Sequence, residues 1–262
     1  MKKIGFIGCG NMGGALIKAA ANAGYSKNIY VFDSFEQKAR QLCDELGVNI
    51  SDGKTIVNEC DYVFIGVKPQ VIETVLSQFK ENFAKRSDCI LVSMAAGVSV
   101  AQISDFSRAN KIIRIMPNMP VSVGEGMILA SGYKVDENEI ADFNDIMKCA
   151  GRVDWIDEKL IDAGCAVSGC GPAYVYMFIE ALADGAVSCG LPRDKALLYA
   201  AETVLGSAKA VLESGKHPGK LKDEVCSPGG TTIAGVKALE DKAFRSAAMN
   251  AVIEAYNKTK AL

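Results

Sequence analysis

Short apolar runs alternate with amphipathic segments along the first half of the chain, and this pattern predicts strands and helices in turn. The apolar runs predict strands at residues 2–7, 28–32, 48–50, 62–67, 89–93 and 111–115. The intervening segments predict helices at residues 15–24, 36–46, 54–58 and 70–79. Such an order indicates an α/β domain whose mostly parallel sheet is covered by helices on both faces. Ligands of these sheets bind at the carboxyl ends of the strands.

From about Asp162 the pattern changes to helices only, with segments predicted at residues 172–189, 193–214 and 232–260. Small residues at 164–172 mark a joint, and we predict two domains, at residues 1–161 and 162–262. The helices are apolar on more than one face, so they need cover on all sides. Roughly 100 residues of helix cannot enclose so much apolar surface alone, which predicts an obligate homo-oligomer.

The first predicted strand runs directly into a glycine-rich loop, Gly8-Cys9-Gly10-Asn11-Met12-Gly13, and a helix follows. Glycines in this position allow a tight turn and a close approach to a pyrophosphate, whose charge the helix end stabilises. The second strand ends at Asp33, about 20 residues further on, where the dinucleotide fingerprint places an acidic residue. The first domain is therefore predicted to bind a dinucleotide.

A second loop, Ser227-Pro228-Gly229-Gly230-Thr231-Thr232, precedes a predicted helix in the second domain. Its two glycines let the backbone approach another molecule, and a helix N-terminus with free N–H groups binds carboxylates well. The alternative is an ordinary turn in which a threonine caps the helix. Local sequence alone leaves the two interpretations open.

Composition and charge are those of a soluble globular protein, with 262 residues, 49% hydrophobic residues and a formal net charge of −2. We expect neither nucleic acid nor membrane as a partner, because no dense Lys/Arg run occurs. The most apolar stretch, residues 172–191, is interrupted by Glu180 and Asp184. The first residues, Met-Lys-Lys, lead directly into a predicted strand and do not resemble a signal peptide. We therefore expect a cytoplasmic protein.

The nine cysteines are scattered without a Cys-x-x-Cys pair, so we expect no metal site and no disulfide framework. Cys226, beside the second loop, is the one candidate for a reactive thiol. The single histidine, His217, is assigned to a loop or packing role rather than to catalysis. Glu180 and Asp184 share a helix face and form either an acid pair or, as we favour, an interface or capping pair.

These motifs together resemble those of the pyrroline-5-carboxylate reductases, and the resemblance runs from end to end. It rests on the segments Gly8–Gly13, Val67-Lys68-Pro69, Ala95-Ala96-Gly97, Gly171-Pro172-Ala173-Tyr174, Gly190-Leu191-Pro192-Arg193 and Leu221 to Glu240. The resemblance implies a Rossmann domain followed by a helical dimerisation domain. It also implies the reduction of 1-pyrroline-5-carboxylate to L-proline, the last step of proline biosynthesis, by dimers that sometimes assemble into decamers.

The resemblance further implies roles for particular residues. The cofactor, NADPH or NADH, is assigned to Ile7, Gly8, Cys9, Gly10, Asn11, Met12, Gly13, Asp33, Val67, Lys68, Pro69, Met94, Ala95 and Ala96. The substrate is assigned to Ser227, Gly229, Gly230, Thr231, Thr232 and Asn118. Thr232 is the predicted catalytic residue, contacting the ring nitrogen. A protonated cyclic imine accepts hydride readily, so positioning is most of what the protein must supply.

Asp33 departs from the pattern of many relatives, which have Asn-Arg or Ser where this chain has Phe32-Asp33-Ser34. A carboxylate at this position hydrogen-bonds a free ribose 2′-hydroxyl and repels a 2′-phosphate. We therefore expect NADH to be used at least as well as NADPH.

Two other functions compete with this interpretation. A β-hydroxyacid dehydrogenase shares the N-terminal half, but it needs a catalytic lysine after a Gly-x-x-Gly-x-Gly stretch, which the helical part lacks. A non-catalytic nucleotide sensor would use the cofactor only to set its conformation. Consumption of reduced nicotinamide in the presence of pyrroline-5-carboxylate separates the three.

Overall fold

The computed structural model describes residues 1–260, which divide into two compact units. Residues 1–170 and 256–260 belong to the first unit, and residues 171–255 form the second. Helix α8 (Glu158–Ser168) runs across the predicted boundary between residues 161 and 162. That boundary stays a prediction.

The first unit is built on one eight-stranded sheet, in the order β3-β2-β1-β4-β5-β6-β7-β8. The strands are β1 (Ile4–Ile7), β2 (Ile29–Phe32), β3 (Asn49–Ile50), β4 (Tyr62–Ile65), β5 (Ile90–Ser93), β6 (Lys111–Met116), β7 (Gly126–Tyr133) and β8 (Gly151–Trp155). Strands β1 to β6 pair in parallel, β7 is antiparallel to β6, and β8 is parallel to β7. The predicted mostly parallel α/β domain is confirmed.

Helices cover the sheet on both faces and bury two apolar cores. They are α1 (Asn11–Ala20), α2 (Glu36–Leu46), α3 (Gly53–Glu59), α4 (Ile72–Gln78), α5 (Lys80–Ala84), α6 (Val100–Ser107), α7 (Glu137–Met147) and α8. In one core the rings of Phe6 and Phe64 stack with centroids 4.5 Å apart. Burying a side chain of this size stabilises the folded state by roughly 1.5–3 kcal/mol. The central strands are therefore firmly held, and so are the loops that follow their carboxyl ends.

The elements between residues 117 and 157 were not predicted, and the two strands there explain why. Strand β7 contains Gly, Ala and Ser among its apolar residues, and β8 is a half-exposed edge strand that carries Arg152 and Asp154. A Cβ on Gly151, at φ +123°, would lie 2.1 Å from the carbonyl oxygen of Gly126. The glycines thus allow close backbone approach, which weakens the strand pattern in the sequence.

The second unit is all-helical. Its helices are α9 (Gly171–Ser188), α10 (Arg193–Ser214), α11 (Pro218–Val225), α12 (Thr231–Glu240) and α13 (Phe244–Lys260), of which the last five residues belong to the first unit. Among the described residues of this unit, the buried hydrophobic side chains are those of Ala183, Ala196 and Ala200. The remaining apolar side chains lie at least partly exposed.

The prediction of one continuous helix at residues 232–260 is wrong. Helices α12 and α13 are separate, and Ala243 between them adopts a left-handed conformation with φ +56°. A non-glycine residue in this region is costly and uncommon. The sequence has neither glycine nor proline at the break, and therefore carries no local signal for it.

Candidate functional site

The glycine loop between β1 and α1 lies where the strand order reverses, between β1 and β4. Gly8 has φ +104°, and a Cβ there would lie 2.7 Å from the carbonyl group of Gly66. A Cβ on Gly13 would lie 2.3 Å from the carbonyl oxygen of Gly8. These three glycines therefore pack the loop tightly against the end of β4. Gly66 is not among the residues predicted to bind the cofactor. Its contact with Gly8 becomes visible only once β1 and β4 are known to be neighbours.

Gly10 plays a different part in the same loop. It has φ −68° and ψ −172°, and a Cβ built on it meets no atom within 4 Å. It directly precedes α1, whose first turn has no side-chain cap. Open space above a glycine at an uncapped helix N-terminus fits the pyrophosphate of a dinucleotide.

Asp33, which directly follows β2, is held in one orientation by two backbone N–H groups. Its Oδ2 accepts a hydrogen bond from the N–H of Cys9 at 2.7 Å, and its Oδ1 accepts one from the N–H of Phe35 at 2.8 Å. The carboxylate lines a cleft of about 290 Å³ that also includes Ser34, Ile50 and Ser51. Its remaining lone pairs can accept a hydrogen bond from a ribose hydroxyl.

Cys9 is buried within the loop, and its Sγ donates to the carbonyl oxygen of Phe32 at 3.7 Å. Burial, followed by the neighbouring Asp33, raises the pKa of the Cys9 thiol to about 12. The group is therefore a protonated thiol at neutral pH and not a nucleophile.

The other predicted cofactor residues follow the neighbouring strands. Val67, Lys68 and Pro69 come after β4, and Met94, Ala95 and Ala96 come after β5. In the second turn the N–H of Ala95 donates to the Oγ of Ser93 at 3.4 Å. Parallel strands bring all these turns, the glycine loop and Asp33 to the same edge of the sheet. Their contacts with a cofactor stay predictions.

Asn118 lies after β6 and is buried, with 8% of its surface exposed. Its Nδ2 donates to the carbonyl oxygen of Ser168 at 2.9 Å, and its Oδ1 accepts from the N–H of Met127 at 2.9 Å. The side chain thus connects this turn to α8 and β7. One amide hydrogen and one lone pair are left for a ligand, and the predicted contact with the substrate stays a prediction.

The second predicted loop belongs to the second unit and forms a tight turn. The N–H of Gly230 donates to the carbonyl oxygen of Ser227 at 3.0 Å, and Gly229 has φ +68°. Proline followed by glycine at positive φ is the arrangement that a type II turn requires. Helix α12 begins at the next residue, Thr231, so the first N–H groups of the helix, which have no partner within it, follow directly after the turn. Binding of an anion there stays a prediction.

Thr232 is the second residue of α12, and Gly230 occupies the N-cap position. Within residues 1–260 the hydroxyls of Thr231 and Thr232 have no hydrogen-bond partner in the protein, and both residues are exposed. Helix capping is therefore not the role of Thr232, and its hydroxyl is available to a ligand.

The structure also shows the contacts and burial of the other residues singled out in the sequence. His217 caps α11, and its Nδ1 accepts from the N–H of Gly219 at 3.1 Å. Asp184 forms an ion pair with Arg193, which joins α9 to α10. Cys226 is half-buried beside the turn. Among residues 1–260, no group of three or more His, Cys, Asp and Glu side chains could hold a metal ion.

A buried arginine in the first unit was missed from the sequence. Arg114 on β6 is 4% exposed and contacts Glu158 at 3.2 Å and Asp162 at 3.0 Å, both on α8. Oε1 of Glu158 also accepts from the N–H of Val100 at 2.7 Å. A charged residue in the middle of the strand, with apolar residues on both sides, was the available signal. The ion pairs fix the start of α8 against the sheet.

Two family models match the chain. Residues 3–97 match the family described as NADP oxidoreductase coenzyme F420-dependent, and residues 158–262 match the family described as pyrroline-5-carboxylate reductase dimerisation. The predicted combination of a nucleotide-binding α/β part with a C-terminal part of a dimerisation family is confirmed.

Curated relatives and solved structures agree with these matches. The chain is 43% identical to the pyrroline-5-carboxylate reductase of Escherichia coli (strain K12), over 100% of this chain and 98% of the relative. The NADP-bound pyrroline carboxylate reductase of Plasmodium falciparum superposes with a TM-score of 0.88 at 35% identity, covering 99% of this chain and 97% of the other. The pyrroline-5-carboxylate reductase of Coxiella burnetii gives 0.91 at 32% identity, with the same coverage.

Proposed function

Because the chain belongs to the pyrroline-5-carboxylate reductase family, we propose that it reduces 1-pyrroline-5-carboxylate to L-proline with a reduced nicotinamide cofactor. The proposal places the protein at the last step of proline biosynthesis. The observation that carries it is similarity to curated reductases over the whole chain, which includes both the glycine loop and the turn at residues 227–230.

The carboxyl edge of the sheet is assigned to the cofactor. Gly10 leaves room for the pyrophosphate, and the N-terminus of α1 faces it with free N–H groups. Asp33 accepts a hydrogen bond from the adenosine ribose. The turns after β4 and β5 complete the predicted set. A reduced nicotinamide held by these residues would supply the hydride for the carbon of the substrate's C=N bond.

The turn and the first residues of α12 are assigned to the substrate. The N–H groups of Gly229 and Thr231 are assigned to its carboxylate, while that of Gly230 closes the turn onto Ser227. The positive end of the helix favours the negative charge. The Thr232 hydroxyl contacts the ring nitrogen, which is protonated in the reactive imine. As the hydride adds to carbon, the nitrogen keeps its proton and becomes the neutral amine of the ring, so the protein need not transfer a proton in this step.

For the cofactor, we propose that NADH is used at least as well as NADPH. Support comes from the fixed carboxylate of Asp33, whose charge opposes a 2′-phosphate in the cleft it lines. Ratios of kcat/KM for NADH and NADPH test this point, and a strong preference for NADPH would contradict it.

The helical part is assigned to self-association as well as to the substrate, and we retain residues 162–262 as the proposed extent of that domain. The assignment to self-association is supported by a large apolar surface that the single chain leaves exposed. Helix α10 exposes Leu198, Leu205 and Leu212 at seven-residue spacing, and an apolar groove of about 660 Å³ runs between α9 and the helices that follow α11. A second copy that covers these surfaces explains the small buried core of the unit.

Among residues 1–260, one stretch, Glu158–Ser188, is long and apolar enough to cross a membrane by length and composition alone. Helices that pack on a partner have the same composition, so we assign this stretch to the dimer. Sedimentation equilibrium tests the assignment, since a monomer has a mass of 27.8 kDa. A mass of twice that value or more is expected, ten times it would indicate a decamer, and a folded monomer would contradict the proposal. Cytoplasmic location stays a prediction.

The enzyme assay combines purified protein, NADH or NADPH and pyrroline-5-carboxylate, and follows nicotinamide absorbance together with proline formation. Stoichiometric conversion is the expected result. The absence of turnover with either cofactor, in protein that binds both, would favour the nucleotide sensor instead.

A further inference from the structure

We propose that Lys38 binds the 2′-phosphate of NADPH, so that Asp33 and Lys38 act in opposite directions on cofactor choice. This proposal rests on the proposed use of NAD(P)H and adds a specificity-determining residue to it. The enzyme is then expected to accept both cofactors rather than to exclude one.

Lys38 lies one turn into α2, five residues after Asp33. It lines a cleft of about 350 Å³ between α1 and α2, which Cys9, Gly10 and Asn11 of the glycine loop also line. The 2′-substituent of the ribose must lie near Asp33, since that carboxylate is the predicted partner of the 2′-oxygen. Lys38 does not itself line the cleft of Asp33. Asp33 is hydrogen-bonded to Cys9, which lines the cleft of Lys38, so the two clefts adjoin at this hydrogen bond beside the ribose position.

The charge of Lys38 is available to a ligand. Within residues 1–260 its ammonium group makes no ion pair, and the residue is exposed. Its electrostatic effect on the thiol of Cys9 lowers the pKa of that group, against the larger opposing effects of burial and Asp33. The ammonium therefore acts on the glycine loop itself, and its flexible stem can turn toward a phosphate.

The neighbouring charges are already paired. Glu36, at the start of α2, forms an ion pair with Arg40 at 2.6 Å. In the same cleft Lys18 pairs with Glu45 at 3.2 Å, and Gln41 also donates to Glu45. Lys38 is thus the unpaired cation of a cleft that begins at the cofactor loop. Lys18, a cation of the same cleft with a partner, provides a matched control.

The test measures binding without turnover, by calorimetric titration of NADP⁺ and NAD⁺ into the full-length protein. Lys38→Met is expected to weaken NADP⁺ binding about tenfold or more, as for the loss of a hydrogen bond to a charged group, and to change NAD⁺ binding by less than about twofold. Lys38→Arg should retain most of the NADP⁺ affinity. The loss in Lys38→Met should shrink at high ionic strength, because the contact is between exposed charges.

Lys18→Met should leave both affinities unchanged, and thermal unfolding of each variant controls for folding. Unchanged NADP⁺ binding in Lys38→Met overturns the proposal. An equal loss for NADP⁺ and NAD⁺ also overturns it, because Lys38 would then contact a group that both cofactors share. Failure to reduce pyrroline-5-carboxylate would refute the proposed function and leave this binding comparison intact.

Discussion

Replacing Gly10 by alanine should weaken cofactor binding and leave the stability of the fold nearly unchanged. Its backbone angles, φ −68° and ψ −172°, are ordinary for alanine, and the new Cβ would meet no atom within 4 Å. Replacing glycine by alanine at a compatible site stabilises a protein by about 0.4–1 kcal/mol through the unfolded chain. Gly10 is also the N-cap of α1, where alanine is less favourable than glycine by a similar amount. The free energy of unfolding should therefore change by less than about 1 kcal/mol.

Binding should change much more than stability. The methyl group of Gly10→Ala would project into the space assigned to the pyrophosphate, beside the free N–H groups of α1. Forcing an extra methyl group into a closely packed contact costs about 1–3 kcal/mol. The dissociation constant for NAD⁺ should then rise roughly 5- to 150-fold.

Calorimetric titration gives the dissociation constant, and thermal unfolding of the same samples gives the stability. Gly13→Ala is the contrasting variant, because its Cβ would lie 2.3 Å from the backbone oxygen of Gly8 and must disturb the loop. It should lower the melting temperature as well as the affinity. Wild-type affinity for NAD⁺ in Gly10→Ala would refute the assignment of this space to the cofactor. A melting temperature as low as that of Gly13→Ala would refute the structural reasoning.

Two further predictions concern the substrate and the glycine loop. Thr232→Val should lower kcat/KM for pyrroline-5-carboxylate about ten- to a hundredfold, since a hydrogen bond to a charged group contributes roughly 1.5–3 kcal/mol; unchanged kinetics at wild-type stability would remove Thr232 from the site. Thr231→Val keeps the backbone N–H assigned to the carboxylate and loses only a hydroxyl, so it should change kcat/KM much less. Because the pKa of Cys9 is raised to about 12 by burial and Asp33, its thiol stays protonated as the pH rises from neutral to about 9, where free thiols ionise. Alkylation followed by mass spectrometry at that pH should modify the exposed Cys189 in native protein and spare Cys9, and rapid labelling of Cys9 would show that the loop opens.

The sheet could be predicted from the sequence as far as β6, because strands buried on both faces are continuous apolar runs such as those at β4 and β5. The glycine loop and Asp33 could be placed for the same reason. Each directly follows a strand that the sequence predicts, so each lies at the carboxyl edge of the sheet. The antiparallel turn to β7 could not be predicted. The parallel pairing of β8 with β7 could not be predicted either, because it depends on the close approach of Gly126 and Gly151, a long-range contact that no local pattern records.

The helical part was harder to predict because its helices are not amphipathic around a core of their own. An apolar residue such as Leu205 is 58% exposed in the single chain, so hydrophobic periodicity does not report burial within it. The break at Ala243 has a related cause. Without glycine or proline the sequence carries no local signal for the left-handed residue, whose N–H donates to the carbonyl oxygen of Glu240 at 2.9 Å.

The turn at residues 227–230 shows what the structure adds to an ambiguous motif. From sequence, Thr231 and Thr232 could cap a helix or bind a ligand, because the same hydroxyl serves either purpose. In the structure Gly230 takes the N-cap position, and a glycine has no side chain with which to satisfy the helix N–H groups. Both hydroxyls and the first N–H groups of α12 thus remain without partners within residues 1–260. A cap that leaves its helix end unsatisfied stabilises the fold less than serine or aspartate would, and we expect a substrate carboxylate bound there to offset that cost.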